Sequence, residues 1–316
     1  MHTNENTEYD FVIIGSGLGG LVSAFILADE GYKVIVLEKN HQIGGLLQVY
    51  SRDKTIFDTG VHYVGGLNEG ENLNQFFKYL GIFDQLKLKK LDEDRFDVIR
   101  FSDGTQFNYA QGNTAFKNEL IRQFPDDSQA IELYCAKITE VCLKFPLYNL
   151  EVNNDGYLHD NSFMKVNAFD YIASITDNKK LQNVLAGSNL LYAGVKEKTP
   201  FYIHALILNS YLSGSYKFID GGSQIAILLS RQIRARGGKI VKHKEVVGAN
   251  YNAVGEITEV LLKNGEAVRG KQFISNIHPI QTIDIFGENR FLKMYKNRIT
   301  NLENTISSFL VHLTFH

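Results

Sequence analysis

The sequence predicts an α/β protein in which a discontinuous Rossmann-like dinucleotide-binding domain carries an inserted α+β domain. Three observations point there. Residues 9–38 read as strand, glycine-rich turn, helix, strand and acid. From Asn68 to about Ser215 the pattern changes to a run of helical stretches. A strand–helix alternation then resumes and ends in an apolar strand, 273–276, suited to join the first sheet. The expected division is 8–67 with 216–286 for the nucleotide-binding domain, and 68–215 with 287–316 for the second domain.

The first segment carries the most chemistry. Phe11, Val12, Ile13 and Ile14, closed by Gly15, suit a buried parallel strand. Gly15, Gly17 and Gly20 stand at GxGxxG spacing, with Ser16, Leu18 and Gly19 between them. Gly15 permits the tight turn, Gly17 leaves room for a pyrophosphate, and Gly20 lets helix and strand approach. The helix that follows sets Leu21, Val22, Phe25 and Ala28 on one face and stops at Gly31. Residues 34–37 form a second apolar strand. Glu38 follows, 18 residues beyond Gly20, where a carboxylate can bond ribose hydroxyls.

A lone GxGxxG is a weak signal, because glycines cluster in many turns. Its place between strand and helix, together with the acid, makes it a dinucleotide site with the diphosphate on the helix N-terminus. The other reading is a βαβ unit whose glycines serve packing alone. An acid at position 38, rather than a base, suits FAD or NAD better than NADP.

Bulk properties exclude some classes. The 316 residues leave room for two domains, and 44% hydrophobic content supports a sizeable core. A net charge of −2 gives no sign of nucleic-acid binding. Cys135 and Cys142 share a predicted helix at a spacing that matches no metal or redox motif, so core packing is their reading. The histidines show no metal spacing, and no metal is assigned. Low cysteine use suits a reducing cytoplasm. The polar start lacks a signal-peptide core. No uncharged apolar run approaches the ~20 residues of a membrane span, and peripheral membrane contact stays open.

Further along come KNHQIGGLLQVY, with Gly44 and Gly45 together, and TIFDTGVHYVGG. The glycine pair suggests backbone lying close to something bulky, or else an ordinary turn. The order GSGLGG, VIVLEKN, IGG, FDTGVHYVGG resembles the FAD-dependent phytoene desaturase, carotenoid isomerase and retinol saturase family. The phrase FDTGVHYVG is most similar to the retinol saturase branch. The resemblance implies a glutathione-reductase-like FAD-binding domain and an inserted substrate domain. It assigns Gly44, Gly45, Asp58, Gly60 and His62 to the cofactor surroundings, and Val246 to backbone contact with the adenine. Lys39, beside Glu38, and Leu46, after the glycine pair, are counted with them. Many relatives carry Arg where this chain has Leu46, so no guanidinium is expected from that position. Family members continue beyond the point where this chain stops, which implies either a fragment or a shortened member.

The remaining elements follow from pattern. Leu73, Phe76, Phe77, Leu80 and Ile82 mark a helix, and 96–109 a hairpin about Ser102-Asp103-Gly104. Helices are expected at 113–124 and 128–144, separated by Pro125, and at 168–176, 178–186 and 200–212. Asn153-Asn154-Asp155-Gly156 reads as a loop. Phe201, Tyr202, His204, Leu208 and Tyr211 on the last helix read as core rather than pocket lining. Ser223 is the expected N-cap of a helix that ends at Gly237-Gly238. KIVKHKEVVGA reads as one strand, 249–269 as a meander turning at Asn264-Gly265, 288–305 as helix and 307–313 as strand.

The function implied by the resemblance is an FAD-dependent oxidoreductase acting on C–C double bonds of a long apolar polyene, retinoid- or carotenoid-like. Hydride transfer would run through flavin N5, with NAD(P)H as a reductant for which no site is identified. His62 is the candidate catalytic proton donor, since histidine exchanges protons near neutrality; its plainer role is a backbone-bonded side chain. His204 and His278 are weaker candidates. Two alternatives stay open: an amine-oxidase-like flavoprotein, and a flavin-free binder of lipid or lipidated partners on the scaffold of the Rab-escort and GDP-dissociation-inhibitor proteins. Retention of Gly15, Gly17, Gly20 and Glu38 argues against the second.

Overall fold

The structure is a computed structural model and describes residues 8–151, 162–305 and 310–313. The chain opens with β1 (Tyr9–Ile14), α1 (Leu18–Asp29), β2 (Val34–Leu37), β3 (Val49–Arg52) and β4 (Thr55–Asp58). A middle stretch follows: α2 (Asn72–Tyr79), β5 (Leu88–Lys90), β6 (Asp97–Arg100), β7 (Gln106–Tyr109), α3 (Asn113–Gln123), α4 (Ser128–Leu143), α5 (Ala168–Ile175), α6 (Lys179–Leu185), α7 (Phe201–Ser213) and β8 (Tyr216–Phe218). The return is made by α8 (Ser223–Ala235), β9 (Lys239–Val241), β10 (Val246–Tyr251), β11 (Ile257–Leu262), β12 (Ala267–Ser275), α9 (Pro279–Phe286) and α10 (Lys293–Thr300). Two compact units result. Unit 1 takes the chain up to His62, Phe77–Lys87 and the part from Phe218 onward; unit 2 takes Tyr63–Phe76 and Leu88–Lys217.

Unit 1 is built on four parallel strands in the order β12-β1-β2-β9, extended by β11 and β10 beyond β12. Val12 pairs with both Ile35 and Phe273, so the late strand lies directly beside the first. All four residues of β2 are buried, as a parallel strand covered on both faces requires. Val12, Ile14, Ile35 and Leu37 pack with Val246, Val260, Leu262 and Val268 of the antiparallel meander. The alternate residues Ile13, Val34 and Val36, also buried, point the other way. Helix α1, with Leu21, Ala24 and Phe25 buried, packs on β2 and α8.

Several local expectations are corrected in unit 1. KIVKHKEVVGA is two strands, because its polar Lys-His-Lys-Glu centre cannot continue a strand covered on both faces. His243 takes φ +59°, and Lys244 N donates to Glu38 O at 2.8 Å, which carries the chain past the tip of β2. Ser223 is the first residue of α8, not its cap; Gly222 stands at the N-cap. Residues 287–305 pack with unit 1 rather than with the inserted unit. Phe291 lies against the Val246–Phe286 cluster, and the Arg290 guanidinium sits 3.8 Å over the Tyr251 ring. Residues 288–305 hold a short 3-10 turn and α10 instead of one helix. Of the expected strand at 307–313, residues 307–309 lie outside the described residues and 310–313 form no regular element. The expected loop at 153–156 is also outside them.

Unit 2 places the hairpin β6–β7 beside helices α3 to α7. Asn167 and Asn178 cap α5 and α6 with side-chain bonds to two backbone N–H groups each. Tyr109, Phe116, Leu120, Tyr134, Phe201 and Leu208 share one core. His204 is fully buried in the same unit, with Nδ1 2.7 Å from Tyr192 Oη and Nε2 bonded to Tyr134 Oη. Burial pushes its pKa down to about 4. Burial raises both Cys135 and Cys142 to about 12, so the two are unreactive thiols. Among the described residues no helix is long and apolar enough to cross a membrane.

Candidate dinucleotide site

The turn between β1 and α1 shows what each glycine is for. Gly15 has φ +94°, and a Cβ on it would lie 2.9 Å from Asn276 O. A Cβ on Gly20 would lie 2.2 Å from Gly15 O. These two glycines are required by the packing of the turn itself. Gly17 differs. It is the N-cap of α1 with extended backbone and no capping side chain, and a Cβ there would meet Asn276 Nδ2 at 3.2 Å. Its missing side chain keeps the helix N-terminus open, where free N–H groups and the dipole favour an anion.

The second glycine pair packs on the first turn. Gly44 N donates to Ser16 O at 2.9 Å, Gly44 bridges to Gly17, and a Cβ on Gly45 would lie 3.1 Å from Gly17 Cα. The bulk that Gly45 accommodates is thus the backbone of Gly17, while a Cβ on Gly44 would lie 2.9 Å from the Ala226 methyl. Gly44 has φ +109°, a conformation that favours glycine.

Glu38 joins the two turns to β2. It is 5% exposed and accepts from Ser16 N at 3.1 Å, from Ser16 Oγ, and from Asn40 N at 2.8 Å. A carboxylate offers about four acceptor positions, so three donors from the chain leave room for a ligand hydroxyl.

A groove of about 500 Å³ opens over the turn, within the ~300–1,000 Å³ of small-molecule and cofactor sites. Gly15, Ser16, Gly17 and Gly45 form one end, and Glu38, Lys39 and Asn40 the edge at the tip of β2. Lys244, Glu245, Val246 and Val247 come from the crossing segment and β10, and Asn276, Gln281 and Asp284 from beyond β12. Lys244 is 9% exposed and ion-paired with Glu266, so its charge is already matched.

Of the residues expected here, Gly15, Ser16, Gly17, Glu38, Lys39, Gly45 and Val246 line the groove. Leu18, Gly19 and Gly20 open α1 beneath it, and Gly44 supports it from behind. Leu46, Asp58, Gly60 and His62 are not brought into its lining. Leu46 is exposed, and a Cβ on Gly60 would lie 2.9 Å from its carbonyl oxygen. Asp58 is buried and accepts from Gly222 N at 2.8 Å, tying β4 to the start of α8. His62 is exposed. Sequence reasoning missed Asn40, Lys244, Glu245, Asn276, Gln281 and Asp284. For Asn276 a signal existed: it ends the strand expected to join the first sheet, so it had to fall near the glycine turn.

A family model described as an NAD(P)-binding Rossmann-like domain matches residues 13–80. The all-trans-retinol 13,14-reductase of Rattus norvegicus is 30% identical over 82% of this chain and 45% of its own length. Prolycopene isomerase 2 of an Oncidium hybrid cultivar is 28% identical over 86% of this chain and 48% of its own. The chain therefore spans about half the length of the curated relatives it matches. Two solved structures share the fold. An oxidoreductase from Methanosarcina mazei has TM-score 0.67 at 18% identity, covering 93% of this chain and 65% of that one. A triple mutant of putrescine oxidase redesigned in cofactor binding has TM-score 0.64 at 16% identity, covering 93% and 63%. The expected mixed α/β fold with a Rossmann-like unit is thus found in both sequence and structural relatives.

Proposed function

We propose that this chain, similar over most of its length to retinol 13,14-reductases and prolycopene isomerases, binds FAD and serves an oxidoreductase of C–C double bonds in a long apolar polyene. The observation that carries this reading is the open groove at the N-terminus of α1 with the buried Glu38 carboxylate at its edge. The residues fit the cofactor. Gly17 leaves space for a diphosphate, the helix end favours its charge, and Glu38 keeps acceptor capacity for a ribose hydroxyl. Val246 and Val247 offer apolar surface and backbone to an adenine.

When bound, FAD supplies the redox step by taking or giving a hydride at N5. The chain binds and orients. Glu38 would fix the sugar and oppose an added 2′-phosphate beside it; this supports FAD over NADP at this site. NAD(P)H enters the proposal only as a reductant with no residue assigned to it. His62 is kept as the proposed proton donor because it is exposed and histidine can pass a proton near neutral pH. The substrate is proposed as an apolar small molecule, retinoid- or carotenoid-like, from what the relatives act on. Peripheral membrane contact in the cytoplasm belongs to the same proposal. An amine-oxidase-like flavoprotein shares the scaffold, and fold likeness alone does not choose between the two.

Titration of the purified chain with FAD tests the reading. Saturable binding is expected, and Glu38→Ala is expected to weaken it at least about tenfold, since a charged hydrogen bond is worth ~1.5–3 kcal/mol. No binding by the unsubstituted chain, or equal affinity in the variant, overturns it. With flavin bound, hydrogen peroxide release on an amine in place of polyene turnover selects the amine-oxidase reading.

A further inference from the structure

We infer that Asn276 contacts the diphosphate from the strand next to the glycine turn, and that position 19 is glycine to make room for its amide. This rests on the dinucleotide reading of the groove.

Asn276 follows β12, and its backbone N donates to Ile14 O at 2.8 Å. That bond holds it level with the end of β1, and its side chain lies across the turn. Its Nδ2 is 3.2 Å from the place of a Cβ on Gly17 and 3.1 Å from that of Gly20. Its Oδ1 is 2.8 Å from the place of a Cβ on Gly19. The GxGxxG pattern explains glycines at 15, 17 and 20; it does not ask for one at 19. Gly19 stands in the first turn of α1, where glycine weakens a helix relative to alanine. The amide oxygen of Asn276 is what a side chain at 19 would displace.

The chemistry suits an anion. Nδ2 lies against Gly17 and Gly20, and Oδ1 against Gly19. Asn276 is exposed and lines the groove, so its N–H₂ group is available to a ligand there. A diphosphate would then meet backbone N–H groups of α1 on one side and an amide donor on the other. An uncharged donor binds without the repulsion that a carboxylate would introduce.

Calorimetric titration of the full chain with ADP and with adenosine tests this, because only ADP carries the diphosphate. Asn276→Asp is expected to weaken ADP at least about tenfold and Asn276→Ala about three- to tenfold, in line with one hydrogen bond lost or one charge opposed. Adenosine affinity should stay within about twofold in both. Gly19→Ala should weaken ADP in the parent chain and have no further effect in the Asn276→Ala background, as coupled neighbours do. Equal losses for adenosine and ADP, or ADP affinity unchanged in all three variants, overturn the inference and leave the groove reading standing. A parent chain that binds neither ADP nor FAD removes that reading, and this inference with it.

Discussion

The backbone N–H and the hydroxyl of Ser16 both donate to one oxygen of Glu38. A single buried carboxylate therefore ties the glycine turn to the tip of β2. Gly44 N, 3.3 Å from Ser16 Oγ, brings the second glycine turn into the same network. Glu38 is thus a structural anchor as well as the proposed sugar ligand. Loss of its side chain should lower both stability and nucleotide affinity, and Ser16→Ala should lower stability with the carboxylate still in place.

The glycines of the first turn are expected to separate by function. Gly20→Ala places a Cβ 2.2 Å from Gly15 O, so helix and strand must part, at a cost of about 1–3 kcal/mol. Its thermal midpoint should fall clearly. Gly17→Val meets a flexible amide instead, so the midpoint should move little while FAD and ADP binding is lost. Comparable melting losses in both variants, with binding kept in Gly17→Val, would refute the division.

Asp58 is expected to act through α8 rather than on a ligand. Removing its carboxylate in Asp58→Ala deprives Gly222 N of its acceptor at 2.8 Å, which costs about 1–3 kcal/mol for a buried donor. Asp58→Asn keeps an acceptor and should recover most of the loss. Urea unfolding of the two variants checks this, and equal midpoints would contradict the assigned role.

Unit 2 should lose stability on acidification because of His204. Its pKa is about 4 in the folded chain against the ordinary 6.5. Between those values the unfolded chain binds the extra proton. The stabilisation is complete above pH 6.5 and is lost as pH falls towards 4, by about 3 kcal/mol at the low end. The groups against the ring are the Tyr134 and Tyr192 hydroxyls, which offer no negative charge to hold an imidazolium. His204→Gln should flatten this part of the stability profile, as read by unfolding at pH 7 and pH 4.5.

Much of the architecture was legible along the chain. The unbroken apolar run 34–37 is a fully buried parallel strand. The helices expected at 113–124 and 128–144 appear as α3 and α4, with Pro125 between them. In both cases the signal is local: burial on two faces forces a continuous apolar run, and a helix repeats its buried face every three to four residues. The glycine turn and Glu38 were legible for the same reason, since turn, helix start and strand tip lie within one short βαβ unit.

Residue order thus settles which segments form strands and helices and where an anion can sit, because backbone sterics and side-chain periodicity act between near neighbours. It does not settle which distant segments meet. Ser16 finds Gly44 across 28 residues and Asp58 finds Gly222 across 164, and local pattern does not say which residue each one meets. The break within KIVKHKEVVGA, the allegiance of 287–305 and the place of the Asn276 amide on the glycine turn were decided the same way. Each depends on packing partners that come together only when the parallel sheet closes.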